Sequence, residues 1–288
     1  MNYEEFVQFM LECVRTRLPK TTVVEKQEIL KNNDVKVVGL AFRKAGVCAA
    51  PVIYLEEYYK RYCMGASMET LVEHLIRRSE QTPPVPKWDY ENILDFQKVS
   101  SHVIYKLINA RRNQALLKKV PNLPLLDFAI VFYVMIPVNE TENCSVLIQN
   151  VHMNYWKLPI SVLYQCAKEN TEKICPYVFR PLSEYVEDYT GEYVPTSELY
   201  ILSNEMGVNG AATILYPKVP KEIYAKIGGS YYLIPSSIHE FLVIRKDYET
   251  CPEALKQIVW DVNENHIAPE EYLSDSIYYF DGNIITKM

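Results

Sequence analysis

GAATILYPKVPKEIYAKIGGSYYLIPSSIHEFLVIR, running from Gly210 to Arg245, decides the fold class. Residues 211–216 are small and apolar and read as a strand. Val219 to Ile227 carries Val219, Ile223 and Ile227 at helical spacing, and Gly228-Gly229 supplies a helix terminator. Tyr231 to Ile234 and Ile238 to Ile244 read as two further strands joined by a tight polar turn. Strands joined this closely are antiparallel neighbours, because a parallel pair needs a long crossover.

The pattern extends outward in both directions. Upstream, residues 3–18 form an amphipathic helix with Phe6, Phe9, Met10, Cys13 and Val14 on its stripe. Residues 22–31 and 35–44 read as a hairpin around Asn32-Asn33-Asp34, and 47–55 as a third strand after the Ala45-Gly46 turn. Helices follow at 56–63 and 67–79, the second capped by Ser67. Thr82-Pro-Pro-Val-Pro-Lys87 cannot continue a helix and is expected to be an extended linker. Beyond it come a strand at 103–109, a helix at 111–119 and a central strand at 125–136 that is apolar on both faces. Residues 145–150 are expected beside that strand, with a helix at 159–173 and a strand at 199–203 further on. Leu255, Ile258, Val259 and Val262 give the cleanest helical stripe, and Asp281-Gly282 turns a closing hairpin. The expected fold is α+β, with mixed, mainly antiparallel sheets packed by amphipathic helices. A small N-terminal subdomain, 1–81, is expected to precede the 82–87 linker and a main domain, 88–288.

Composition closes off several functions. The net charge is −6, and the basic doublets are scattered rather than gathered in a phosphate-neutralising stripe, so no nucleic acid is expected. The longest apolar run, broken by Asp127 and ended by Pro137, falls far short of the ~20 residues of a membrane span. The acidic N-terminus is unlike a signal peptide. Seven cysteines at irregular spacings, with no Cys-x-x-Cys, suit reduced thiols in a cytoplasmic protein. Neither GxGxxG nor GxxxxGK[ST] occurs, which removes the usual nucleotide fingerprints, and no cofactor is expected.

Seven segments run in order across the chain: KNNDVKVVGLAFR, APVIYLEEYYKRY, VIYKLINARRNQALL, LDFAIVFYVMI, LYQCAKENT, YYLIPSSIHEFLVI and YLSDSIYYFDG. Together they resemble a family of uncharacterised bacterial proteins, a domain of unknown function common in anaerobic gut Firmicutes. The last part is more loosely similar to a Bacillus-type conserved hypothetical family. The resemblance implies a cytoplasmic bacterial protein and supplies no catalytic residues.

The densest polar cluster within apolar surroundings is Ser236, Ser237, His239 and Glu240. Serine, histidine and carboxylate invite a nucleophile–base–orienter reading. In an extended chain, however, Ser237 and His239 share a face with Cα atoms roughly 6.5 Å apart, and Glu240 points away. Parallel side chains at that spacing do not make a hydroxyl–imidazole bond, so turn and backbone satisfaction is the stronger expectation. His152 and Asn204 lie at strand ends, where ligands bind but where caps and turns also use these residues. Asp127, near the start of the most apolar strand, is expected to be a cap or an ion-pair partner rather than a general base. Five isolated histidines without HxxxH give no metal motif, and no metal is expected.

Tyrosine outnumbers phenylalanine 23 to 9, which marks Tyr as the unusual residue of this chain. Tyr54, Tyr58, Tyr59 and Tyr62 fall close together and form a candidate interaction surface, since tyrosine joins contact area to a polar tip. Tyr185, Tyr189 and Tyr193 form a second group. The expectation is a non-catalytic interaction or accessory protein whose partner is another protein. The alternative is a hydrolase or small-ligand binder using the 236–240 cluster.

Overall fold

A computed structural model describes residues 1–44, 52–81, 90–137, 143–192, 198–247 and 251–288. The expected linker at 82–87, the Ala45-Gly46 turn, Cys48 and Tyr193 lie outside them. The described residues divide into two compact units. One lies within 1–31 and 35–93; the other takes 32–34 and the described residues from 94 onward.

In the smaller unit, α1 (Tyr3–Arg17) starts at a capping box in which Asn2 and Glu5 exchange hydrogen bonds. β1 (Thr22–Leu30), β2 (Lys36–Lys44) and β3 (Val52–Tyr54) form an antiparallel sheet in that order. α2 (Glu56–Cys63) and α3 (Met68–Gln81) follow, and Ser67 Oγ accepts the Thr70 amide at the start of α3. The apolar stripes of α1 and α3 meet Val24, Leu40, Phe42, Ile53 and Leu55 in one core. Gly39 lets β2 approach β3: a Cβ there would lie 2.9 Å from the Ile53 carbonyl oxygen.

The larger unit opens with α4 (Tyr90–Leu94, whose last residue belongs to it) and α5 (Phe96–Val99). β4 (Val103–Asn109) follows, then α6 (Gln114–Leu117), β5 (Asn122–Leu125), β6 (Phe128–Pro137) and β7 (Asn143–Leu147). β4 lies along one edge of β6, while β5 and β7 lie end to end along the other. α7 (Asn150–Trp156) and α8 (Ile160–Ile174) come next, and α8 packs on β4, where Thr171 Oγ1 accepts the Tyr105 amide. β8 (Tyr177–Pro181), α9 (Leu182–Thr190), β9 (Leu199–Asn204), α10 (Val219–Ile227), β10 (Tyr231–Pro235), β11 (Phe241–Arg245), α11 (Pro252–Asn265), β12 (Tyr278–Phe280) and β13 (Ile285–Lys287) complete it. These strands make a six-stranded sheet in the order β13-β12-β10-β11-β9-β8. Every strand pair observed is antiparallel, so the α+β expectation holds. The two sheets of the larger unit meet where Phe128 of β6 packs on Phe241 and Tyr278.

Four local expectations need correction. Residues 211–216 are a buried 3₁₀ segment, Gly210–Leu215, tightened by Thr213 Oγ1 donating to the Gly210 carbonyl. The helix expected at 111–119 shrinks to α6, because Asn109 captures the Arg112 amide and holds residues 109–113 in a turn. Leu125 ends β5, and Leu126-Asp127 is a turn with Leu126 left-handed (φ 53), so the central strand starts only at Phe128. On α11 the buried residue is Val259, while Ile258 is 56% exposed.

Candidate functional site

Residues 236–240 are the loop joining β10 to β11, not the first part of a strand. The Glu240 carbonyl accepts the Ser236 and Ser237 amides, which closes the loop. Ser237 Oγ accepts the His239 amide at 3.0 Å and donates to Glu240 Oε1 at 3.4 Å. Ile238 plugs the loop downward: its amide donates to the Glu271 carbonyl and its carbonyl accepts the Ala211 amide. Ser236 Oγ makes no hydrogen bond among the described residues.

His239 is tied from three sides. Its carbonyl accepts Ser203 Oγ at 2.8 Å, and its Nδ1 accepts the Asn209 amide at 3.0 Å. An acceptor at Nδ1 places the ring proton on Nε2, which faces Glu271 Oε1 at 3.6 Å. Asn204, at the end of β9, holds the loop that delivers Asn209: its side chain bonds both the amide and the carbonyl of Val208. Gly207 (φ 64) and Asn209 (φ 56) take left-handed conformations to complete that turn. Gly210 then runs against the junction so closely that a Cβ would meet His239 O at 2.5 Å and Asn204 N at 2.7 Å.

The structure therefore brings Asn204 together with Ser237, His239 and Glu240, but not as a nucleophile and its base. The Ser237 hydroxyl serves the His239 backbone, and the imidazole serves Asn209 and Glu271. Glu271 is the partner that sequence reasoning missed; it lies far along the chain with no motif to announce it.

His152 belongs to a separate arrangement. Its Nδ1 accepts the Gln149 amide at 3.1 Å at the start of α7, and its ring stacks on Trp156. Burial lowers its pKa, as expected for an imidazole that stays neutral in an apolar pocket.

A second polar junction surrounds Asp127. Its carboxylate accepts Tyr278 Oη at 2.6 Å, Ser274 Oγ at 2.9 Å and Lys287 Nζ at 2.9 Å. Burial would raise its pKa, but these three donors outweigh that and hold it below the ordinary carboxylate value. Burial and the Asp127 bond raise the Tyr278 hydroxyl, so it stays a donor. The expected ion pair of Asp127 is present, although its partners come from the far end of the chain.

The tyrosine group of the smaller unit is split between core and surface. Tyr54 lies on β3, 37% exposed, with Lys31 Nζ 4.2 Å over its ring. Tyr58 departs from the expected surface: it is buried, and its hydroxyl bonds His74 Nδ1 at 3.1 Å. Helical spacing turns this residue fully inward. Tyr59 and Tyr62 are half-buried against Phe6. Along α1, Glu4, Glu5, Gln8, Phe9 and Glu12, with Met1 just before the helix, line an open depression of about 660 Å³, and Phe9 is 43% exposed.

Among the described residues, no group of three His, Cys, Asp or Glu side chains could hold a metal ion, and no helix is long and apolar enough to cross a membrane. Architecture and junctions together define an α+β protein with three antiparallel sheets among the described residues, its polar clusters tied into loops and sheet contacts. The chain belongs to a family of unknown function, DUF5688, which it matches over residues 3–282. No curated protein and no solved structure matches it.

Proposed function

We propose that the chain is a non-catalytic interaction or accessory protein that works in the bacterial cytoplasm and binds another protein. The observation that carries this reading is the outer face of α1, where Phe9 stays 43% exposed beside Glu5 and Glu12. An aromatic side chain left in water beside polar residues is the composition of a contact surface. Tyr59 and Tyr62, half-buried on α2, and Tyr54 on β3 add further ring edges in the same unit. The inward use of Ser237 and His239 supports the same side, since a hydrolase needs that hydroxyl and that imidazole free for a substrate. The resemblance to proteins of anaerobic gut Firmicutes suggests the cells in which to look.

The test is quantitative affinity capture from such cells with the wild-type chain and with Phe9→Ser. One specific partner, retained by the wild type and reduced at least about tenfold with Phe9→Ser at unchanged melting temperature, is expected; a tenfold loss corresponds to about 1.4 kcal/mol of binding. Equal recovery by both chains, or recovery of no specific partner, rejects the reading.

A further inference from the structure

Lys106 stands in β4 between Ile104 and Ile108, on the strand face shared with Ala129, Val131 and Tyr133 of β6. Ile104, Ile108, Ala129 and Val131 are buried, so a single ammonium group interrupts an apolar surface. Its Nζ lies 4.3 Å from the centroid of the Tyr133 ring. Among the described residues no carboxylate and no hydrogen-bond acceptor pairs with it, and Tyr133 Oη is equally without a partner. Both side chains are half-buried rather than enclosed. A lysine placed for stability would be paired, because a charge taken from water without a partner is costly. Burial is the cause that pushes its pKa down to about 8. The ring below offers the ammonium some cation–π attraction and no counter-charge.

An amine that is poorly hydrated, unpaired and only half-buried is the form in which lysine acts as a nucleophile. We propose that Lys106 is a covalent capture site for small aldehydes, its amine condensing with the carbonyl beside the Tyr133 ring. In this step the Nζ lone pair attacks the carbonyl carbon, and the C–N bond forms as the π pair moves to oxygen. The resulting carbinolamine transfers both amine protons to that oxygen and releases it as water. The product is an imine, no electrons are gained or lost, and hydrolysis reverses the step. This site lies in the larger unit and goes beyond the docking reading, which rests on α1.

Reductive methylation of the full chain tests it, with formaldehyde as the probe and cyanoborohydride trapping the imine. Peptide mass spectrometry then gives a rate for each lysine from pH 6 to 10. A lysine near pKa 8 is about 10% free amine at pH 7 against about 0.04% for an ordinary one. Lower basicity and crowding take back much of that advantage, so Lys106 is expected to react about tenfold faster than exposed Lys20. The advantage should vanish in concentrated urea. It should survive Tyr133→Phe, which keeps the ring, and fall with Tyr133→Ala, which rehydrates the amine. A Lys106 rate no greater than that of Lys20 in the native chain overturns the proposal. So does an advantage that persists in urea or is untouched by Tyr133→Ala.

Discussion

The junctions around His239 and Asp127 solve the same problem, polar groups among apolar elements, in opposite ways. At His239 the side chains serve backbone groups: Ser203, Ser237 and the imidazole itself bond main-chain atoms of two neighbouring loops. At Asp127 one carboxylate collects three side-chain donors, all from the last strands and the segment before them. The first junction holds loops in shape. The second holds the four-stranded sheet to the six-stranded one, beside the packing of Phe128 on Tyr278. A neutral, backbone-directed junction should depend on steric fit, and a charged, side-chain-directed one on pH.

The largest effect is expected where steric fit is tightest. Gly210→Ala places a methyl group against the His239 carbonyl and the Asn204 amide, and backbone atoms cannot swing aside as a side chain can. The whole loop must move, and a cost of about 3 kcal/mol is expected from overpacking of this kind. A shift in the urea midpoint at unchanged slope measures it. An effect under about 0.5 kcal/mol, within the range of ordinary surface changes, would mean the junction is soft.

Asp127→Ala comes next, at about 2 kcal/mol near neutral pH, since it leaves the buried Ser274 hydroxyl without its acceptor, leaves Tyr278 Oη only Ser274 Oγ to donate to, and removes the partner of Lys287. Here pH sharpens the comparison. The folded pKa of Asp127 lies below its unfolded value, so the unfolded chain takes up this proton first. The stability that the ionised carboxylate contributes is therefore fully present above the unfolded value of about 3.9. It declines as pH falls through the folded pKa, with a slope of at most about 1.4 kcal/mol per pH unit. Asp127→Ala should flatten that part of the profile, whereas Gly210→Ala should leave it parallel to the wild type. Parallel profiles for all three chains would show that the acid loss arises elsewhere.

The same contrast explains what could be read from the residues alone. α10 begins and ends where its apolar spacing and Gly228 put it, because both signals are local. Asp127 could be assigned a partner in kind, since an unpaired carboxylate beside β6 is expensive, but not Lys287 by position. Residues 211–216 carry strand-like composition and yet coil into a 3₁₀ turn, because the close approach at Gly210 is a tertiary demand. Tyr58 goes inward on a helix that carries tyrosine at three positions, 58, 59 and 62; only the location of the core decides which of them is buried. In the 236–240 loop the chain is not extended as its apolar flanks suggest, yet Ser237 and the His239 ring still do not pair. The hydroxyl meets the histidine's amide instead of its ring.

The smallest effect belongs to the imidazole. His239→Ala removes the acceptor of the Asn209 amide, but His239 keeps about a quarter of its side chain exposed, so water reaches part of the gap. A net cost of about 1 kcal/mol is expected for a neutral hydrogen bond lost at such a site. His239→Asn is the informative variant, because its side-chain oxygen can take the place of Nδ1 while abandoning the contact with Glu271. If the backbone bond is what matters, His239→Asn recovers most of the loss and Glu271→Gln changes the urea midpoint little. If Glu271→Gln costs as much as His239→Ala, the imidazole–carboxylate pair governs this junction, and its resemblance to Asp127 is closer than the hydrogen bonds imply.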